Sequence, residues 1–164
     1  QDVTVRGHAI ECRIYAEDAA SEFLPSVGRI ERYVEPPGDL VRLDSGVQEG
    51  DEITSFFDPM LAKLSAWGRD RQGAIELAER GLRGYCLIGP ETNIGFLRAI
   101  LDHPAFRRGE VDTGFIDHYR SSLDATAAHQ TELDPNVAAI LAALSLPEAQ
   151  LSRSPLARLG AWRN

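Results

Sequence analysis

Gly7-His8-Ala9-Ile10-Glu11-Cys12-Arg13-Ile14-Tyr15-Ala16-Glu17-Asp18 alternates apolar and polar side chains with a period of two, the pattern of a strand with one face in a core and the other in water. Ile10, Cys12 and Ile14 fall on one face, and Glu11 and Arg13 on the other. An arginine fixed on a strand is a permanently charged, planar donor fork, suited to stabilising a developing oxyanion or to holding bicarbonate or phosphate. On a half-exposed sheet the same residue can equally serve an ion pair with Glu11. Its role therefore depends on what surrounds the strand.

Residues 3–15 read as the opening strand, with Glu17, Asp18, Ser21 and Glu22 turning into Phe23-Leu24-Pro25-Ser26. Residues 28–35 alternate Ile30, Arg32 and Val34 against Arg29, Glu31 and Tyr33, break at Pro36-Pro37-Gly38, and resume over 40–44. Gly46, Gly50 and Asp51 mark the next turn, and residues 52–56 are short and extended. The apolar run 60–67, ended by Gly68, has the length and flanks of a central strand. The spacing then becomes helical. Ile75, Ala78, Leu82 and Tyr85 define a helix stopped by Gly89 and Pro90, although Gly73, Gly81 and Gly84 each weaken it by ~1 kcal/mol relative to Ala. Ile94, Leu97 and Leu101 define a second helix, capped by Thr92 or Asn93 and ending before Pro104. The expected fold is α+β, an antiparallel β-sheet with helices packed on one face. Beyond Tyr119 the composition shifts to Ala, Ser, Leu and Gln. Asp134 and Pro135 there read as an N-cap and first helical position, followed by Val137, Ile140, Leu141 and Leu144 along one side. The expected division is a domain over 1–119 and a helical C-terminal extension over 120–164 leading into a following domain.

The chain has 164 residues, 43% of them hydrophobic, which fits one domain with a real core plus an appendage. A formal net charge of −8 argues against nucleic-acid or anionic-membrane partners, since phosphate contacts need clustered positive charge. No run approaches the ~20 apolar residues that cross a bilayer, and the first residues lack the layout of a signal peptide. A start at Gln1-Asp2 without methionine reads as a piece of a longer polypeptide. The acidic balance reads as a cytoplasmic protein, and Lys63 is the lone lysine, a bias toward arginine that points to a GC-rich bacterial source. Lys63 itself reads as a solvated or paired sheet residue. Cys12 and Cys86 sit in apolar contexts without zinc-site spacing and read as buried free thiols, with a disulfide between them as the alternative. His8, His103, His118 and His129 show no metal spacing, so no metal site is expected. Gly46, Gly50 and Gly68 precede no helix directly, so none forms a phosphate cradle.

The ordered set of the opening strand with Phe23-Leu24-Pro25-Ser26, Asp44-Ser45-Gly46-Val47, Phe57-Asp58-Pro59-Met60-Leu61-Ala62-Lys63-Leu64, Thr92-Asn93-Ile94, His103-Pro104-Ala105-Phe106 and Asp112-Thr113-Gly114-Phe115-Ile116 resembles the C-terminal subdomain of biotin carboxylase. The resemblance implies a reaction in which ATP and bicarbonate form carboxyphosphate, which breaks down beside the ureido ring of biotin on a carrier domain. Removing the N1 proton of that ring places charge on its oxygen, and Arg13 matches the family arginine that stabilises it. Asp58 matches an acidic residue near the biotin pocket, able to accept from a ureido N–H or orient an arginine. Before Pro59 it also suits plain turn chemistry. Phe115 matches the position where the family's last segment lies against the adenine of ATP, and equally suits a core. Glu11 reads as the orienter of Arg13.

ATP and Mg2+ are, on this resemblance, bound mainly by an upstream ATP-grasp domain, whose phosphate loop, magnesium-holding acids, bicarbonate site and general base are not found in this sequence. The piece is therefore expected to be inactive alone. Its implied partners are that domain, the biotin carrier domain, a carboxyltransferase subunit and, through dimerisation, a second copy. The tail from Ser154 to Trp162 resembles the start of the small bridging domain of acyl-CoA carboxylases of the propionyl-CoA, methylcrotonyl-CoA or acetyl-CoA type. Pyruvate and urea carboxylases stay open, because a different site chooses the carboxyl acceptor. A competing reading makes the segment a non-catalytic scaffold or dimerisation module with Arg13 merely ion-paired. Catalysis requires Arg13 and Asp58 to be accessible on an open surface, whereas scaffolding permits a buried, neutralised arginine.

Overall fold

The computed structural model of the chain describes residues 4–131, with side chains through residue 128. In chain order the elements are β1 (His8–Tyr15), β2 (Glu17–Asp18), β3 (Leu24–Pro25), β4 (Gly28–Arg29), β5 (Arg32–Val34), β6 (Arg42–Ser45), β7 (Glu52–Ile53), β8 (Met60–Gly68), α1 (Arg71–Gly84), β9 (Cys86–Ile88), α2 (Ile94–Asp102), α3 (Pro104–Arg108) and α4 (Phe115–Thr131). The principal sheet is three-stranded in the order β1-β8-β6, antiparallel throughout, with short pairs β2-β3, β4-β7 and β5-β9 around it. As the apolar run 60–67 predicts, β8 is central. One face of the sheet carries Ile10, Cys12, Ile14, Ala62, Leu64 and Ala66, and α1 lays Ala74, Ile75, Ala78 and Leu82 against it. Burying each Leu or Ile there contributes roughly 1.5–3 kcal/mol. The α+β architecture with a helix on one face is thus what the alternating and helical periods predict.

Two glycines set how closely α1 approaches. A Cβ on Gly68 would collide with the backbone of Gly73 and Ala74, so the chain can turn from β8 into the helix only without a side chain. Asp70 then caps α1, its Oδ1 accepting from Gly73 N–H at 2.8 Å. A Cβ on Gly81 would lie 2.9 Å from Leu64 Cδ1 and 3.0 Å from Val41 Cγ1. The helix therefore loses propensity at Gly81 and gains a close seat on the sheet. A second core joins α2, α3 and α4 through Phe96, Ala99, Ala105, Phe115, Leu123 and Ala127.

Several boundaries differ from the sequence expectation. The first strand begins at His8, not residue 3. Gly7, at φ 72°, turns the chain beneath Trp67, and Val5 before it is 93% exposed. The strand read over 28–35 is two pieces, because Ile30 and Tyr33, three residues apart, both face inward and break the period of two, leaving Val34 exposed. The first helix ends at Gly84 rather than near Gly89. Cys86–Ile88 pairs with Arg32–Val34, an alternation too short to stand out beside the helical spacing. Cys86 is consequently exposed, not buried, while Cys12 is buried, and both thiols are free. The extended segment after Glu52 stops at Ile53, and Phe56 and Phe57 stand in solvent. Helix α4 runs through position 119, and Leu123 and Ala127 bury against Phe96, so residues up to 131 belong to the same compact unit. The helix read over 137–144 and the tail to Trp162 lie outside the described residues.

Candidate functional site

The face of the sheet opposite α1 carries the polar residues of the three strands. Arg13 on β1 stands directly opposite Lys63 on β8, and Lys63 directly opposite Asp44 on β6. In the next row Glu11, Ser65 and Arg42 oppose one another. The alternation of β1 produces this division, since burying Cys12 and Ile14 leaves Glu11 and Arg13 no other direction. Arg13 is 62% exposed in its side chain, and its Nε donates to Glu11 Oε1 at 3.0 Å. That hydrogen bond first, and hydrogen bonding to Tyr15 second, hold the guanidinium above its ordinary pKa, so it is charged at every working pH. Arg42 Nε reaches Asp44 Oδ1 at 3.0 Å and Lys63 Nζ reaches Asp44 Oδ2 at 3.3 Å. Hydrogen bonding from Arg42 is the main cause that keeps the Asp44 carboxyl below the usual carboxylate range. Beneath this face, burial and then the charge of Glu11 push the Cys12 thiol up to about 12, which leaves it inert.

Arg13 is anchored through its backbone by a residue 80 positions away. Asn93 Nδ2 donates to the Arg13 carbonyl at 3.1 Å, and Asn93 Oδ1 accepts from Tyr15 N–H at 3.0 Å. Asn93 N–H also donates to the Tyr15 carbonyl at 3.2 Å. The side chain thus completes the ladder on the edge of β1 that β8 does not cover. Asn93 precedes α2, but its side chain makes no capping bond, and it is the buried polar residue of the described core at 7% exposure. The sequence alone offers it only as a cap, because an Asn before an apolar helical run looks the same in either service. Glu11, read as the orienter of Arg13, does contact it.

Asp58 lies just past the end of this ladder, exposed, and its Oδ1 accepts from Met60 N–H at 2.8 Å, the turn chemistry expected of an Asp before Pro. Its charge adds to burial in raising the pKa of Glu17, burial being the larger cause. Asp58 also lines a cleft of about 370 Å³ with Thr54, Phe57 and Met60. Arg13 and Asp58 are therefore both accessible, one on the open face and one beyond the strand ends. Phe115 belongs to the other core. It is 7% exposed, in edge contact with His103 and Phe106 and tilted against Tyr119, and it borders a shallow cleft with Asp112 and His118. Among the described residues no group of three His, Cys, Asp or Glu is placed to hold a metal ion, and no helix is long and apolar enough to cross a membrane.

Residues 11–118 match the family model described as biotin carboxylase C-terminal domain. A pyruvate carboxylase subunit of Methanothermobacter thermautotrophicus is 43% identical over 152 residues, covering 93% of this chain and 31% of the relative. The alpha subunit of mitochondrial methylcrotonoyl-CoA carboxylase of Dictyostelium discoideum is 39% identical over 170 residues, covering 99% of this chain and 24% of the relative. Among solved structures, the biotin carboxylase domain dimer of Hydrogenobacter thermophilus 2-oxoglutarate carboxylase, in complex with MgADP, ADP and bicarbonate, superposes with a TM-score of 0.69 at 35% identity, covering 72% of this chain and 26% of that one. The chain spans less than a third of the length of these proteins.

Proposed function

The chain belongs to the biotin carboxylase C-terminal domain family, and from that premise we propose that its open sheet face forms one wall of the site in which carrier-borne biotin is carboxylated with ATP and bicarbonate. The observation that carries this reading is Arg13, solvent-facing with its Nε held by Glu11. The Glu11 contact is made through Nε and not through the two terminal nitrogens, and that planar end, with Tyr15 as its neighbouring hydrogen-bond partner, is the fork suited to an oxygen that is gaining charge. Biotin supplies a ureido nitrogen that becomes nucleophilic as its proton leaves and charge moves to the ring oxygen. Arg13 lowers the cost of that charge, Glu11 limits the guanidinium's swing, and Asn93 fixes the carbonyl from which the side chain springs. Asp58, whose Oδ1 is taken by Met60 N–H, has Oδ2 to accept from a donor on the same ligand. A neutralised, buried arginine would have favoured a pure scaffold, and Arg13 is neither buried nor closed off by its partner.

The described residues supply no acid cluster for Mg2+, and the sequence holds no glycine-rich phosphate loop, so ATP and Mg2+ belong on this proposal to an ATP-grasp domain of the parent polypeptide. The carrier domain, the carboxyltransferase and a second copy are the further partners. The Arg-Leu-Gly-Ala-Trp tail supports an acyl-CoA carboxylase, whereas the relatives include both a pyruvate and an acyl-CoA enzyme. An adenine at Phe115 would meet only the rim of its cleft, a role that KM for ATP in a Phe115→Leu enzyme tests. The central test is biotin-dependent ATP cleavage by the full-length enzyme. Arg13→Ala should lower kcat by about 10²–10³-fold, as loss of an oxyanion donor does, and Arg13→Lys should recover only a small part because it lacks the fork. Parental turnover in both variants would refute the assignment.

A further inference from the structure

Arg13 and Lys63 are direct cross-strand neighbours on one face, an arrangement in which two like charges are mutually destabilising. Nothing in the packing demands it, since Lys63 is 38% exposed in its side chain and takes no part in the apolar core. The charges around it are ordered. Glu11 holds Arg13 from along β1, while Asp44, one strand beyond Lys63, holds Lys63 and is shared with Arg42. In a chain of formal charge −8 this face carries three cations, Arg13, Arg42 and Lys63, against two carboxylates. If Lys63 were neutral, Asp44 would keep Arg42 on Oδ1 but lose its partner on Oδ2, and Asp44 lies two strands from Arg13 in the same row, roughly 9–10 Å between backbones. That span lies within the combined reach of an extended Arg and an Asp.

We propose that Lys63 is a positioning residue for Arg13. By occupying Asp44 and repelling the guanidinium, it keeps Arg13 on Glu11 and pointed off the sheet, so that the fork does not fold across β8. This rests on the role proposed above for Arg13, and deepens it by naming the charge that sets its direction.

The test is steady-state biotin carboxylation by the full-length enzyme carrying Lys63→Met, Lys63→Arg, and Lys63→Met combined with Asp44→Asn. Lys63→Met should lower kcat about tenfold, the size of one partly screened charge interaction, with KM for ATP and the melting temperature held. Lys63→Arg restores the cation and should recover parental kcat. In the double variant the competing carboxylate is gone, and kcat should return to within about threefold of the parent. A merely structural lysine would show neither recovery. Parental kcat in Lys63→Met, or a loss that neither the arginine nor the Asp44 substitution relieves, overturns the proposal. An active Arg13→Ala enzyme would instead sink the underlying reading.

Discussion

Replacing Asn93 tests whether a side chain outside the sheet sets the position of the candidate catalytic strand. In Asn93→Ala the Arg13 carbonyl and the Tyr15 N–H both lose their partners, at 3.1 and 3.0 Å in the native chain. A buried polar group left unpaired costs ~1–3 kcal/mol. Water at the edge of β1 relieves part of this for two such groups, so the expected loss is about 2–4 kcal/mol. The Asn93 N–H bond to the Tyr15 carbonyl survives the substitution, which keeps α2 attached and the fold intact. Urea unfolding followed by far-UV circular dichroism measures the difference, with the denaturant slope unchanged. Asn93→Asp sharpens the test. Its carboxylate can still accept from Tyr15 N–H but faces the Arg13 carbonyl with no proton to donate. Such a carboxyl has a folded pKa raised above its unfolded value, so the variant's stability falls as pH rises between the two, and its deficit narrows on acidification. A loss under about 0.5 kcal/mol in Asn93→Ala, or a pH-independent deficit in Asn93→Asp, would refute the reasoning.

Glycines on α1 should respond in opposite directions to alanine. Gly81→Ala meets Leu64 and Val41 at 2.9 and 3.0 Å and should cost about 1 kcal/mol net despite better helix propensity. Gly73→Ala meets nothing nearer than 3.4 Å and should gain up to about 1 kcal/mol, both read by thermal melting. The Asp44 carboxyl, lowered chiefly by Arg42, contributes stability above its unfolded pKa of roughly 4 that is lost as pH falls through the folded value. Asp44→Asn should therefore flatten the acid limb of the melting temperature against pH, and an unchanged limb counts against the Arg42–Asp44–Lys63 cluster. A thiol reagent should label Cys86 quickly in the native chain and Cys12 only after unfolding, given the exposure of one and the burial and raised pKa of the other. Equal labelling rates would contradict the register of β9.

What the sequence disclosed followed from period and length. The alternation of Ile10, Cys12 and Ile14 in β1 is enough to put Arg13 on the open face, the apolar run of β8 marks the central strand by its length, and Ile75, Ala78 and Leu82 announce the helix that covers the other face. Short elements did not announce themselves. A three-residue strand such as Cys86–Ile88 has too few repeats to separate a period of two from the tail of a helix, and the inward turn at Ile30 is invisible until Tyr33 is seen to share its side. The site was legible where one strand carries it, in Arg13 with Glu11. Its supports from other elements, Asn93 and Lys63, depend on pairings that no local pattern encodes.

The core nevertheless dictates the chemistry of the open face. A slip of one residue between β1 and β8 would turn Ile10, Cys12 and Ile14 into water and drive Arg13 into the space beneath α1. Burying three apolar side chains opposes that slip by several kcal/mol, and taking a guanidinium out of water opposes it further. The irregularity between Ile14 and Tyr15, where Met60 rather than Leu61 meets Tyr15, lets Leu61 and Ala62 both stay buried while the ladder ends. It falls one residue after Arg13 becomes fixed, so the bend that releases the chain toward Asp58 leaves the Arg13–Lys63–Asp44 row in register. The apolar face that builds the domain and the guanidinium that this reading assigns to catalysis are two consequences of one strand pairing, and a substitution that loosens α1 at Gly81 would be felt at Arg13.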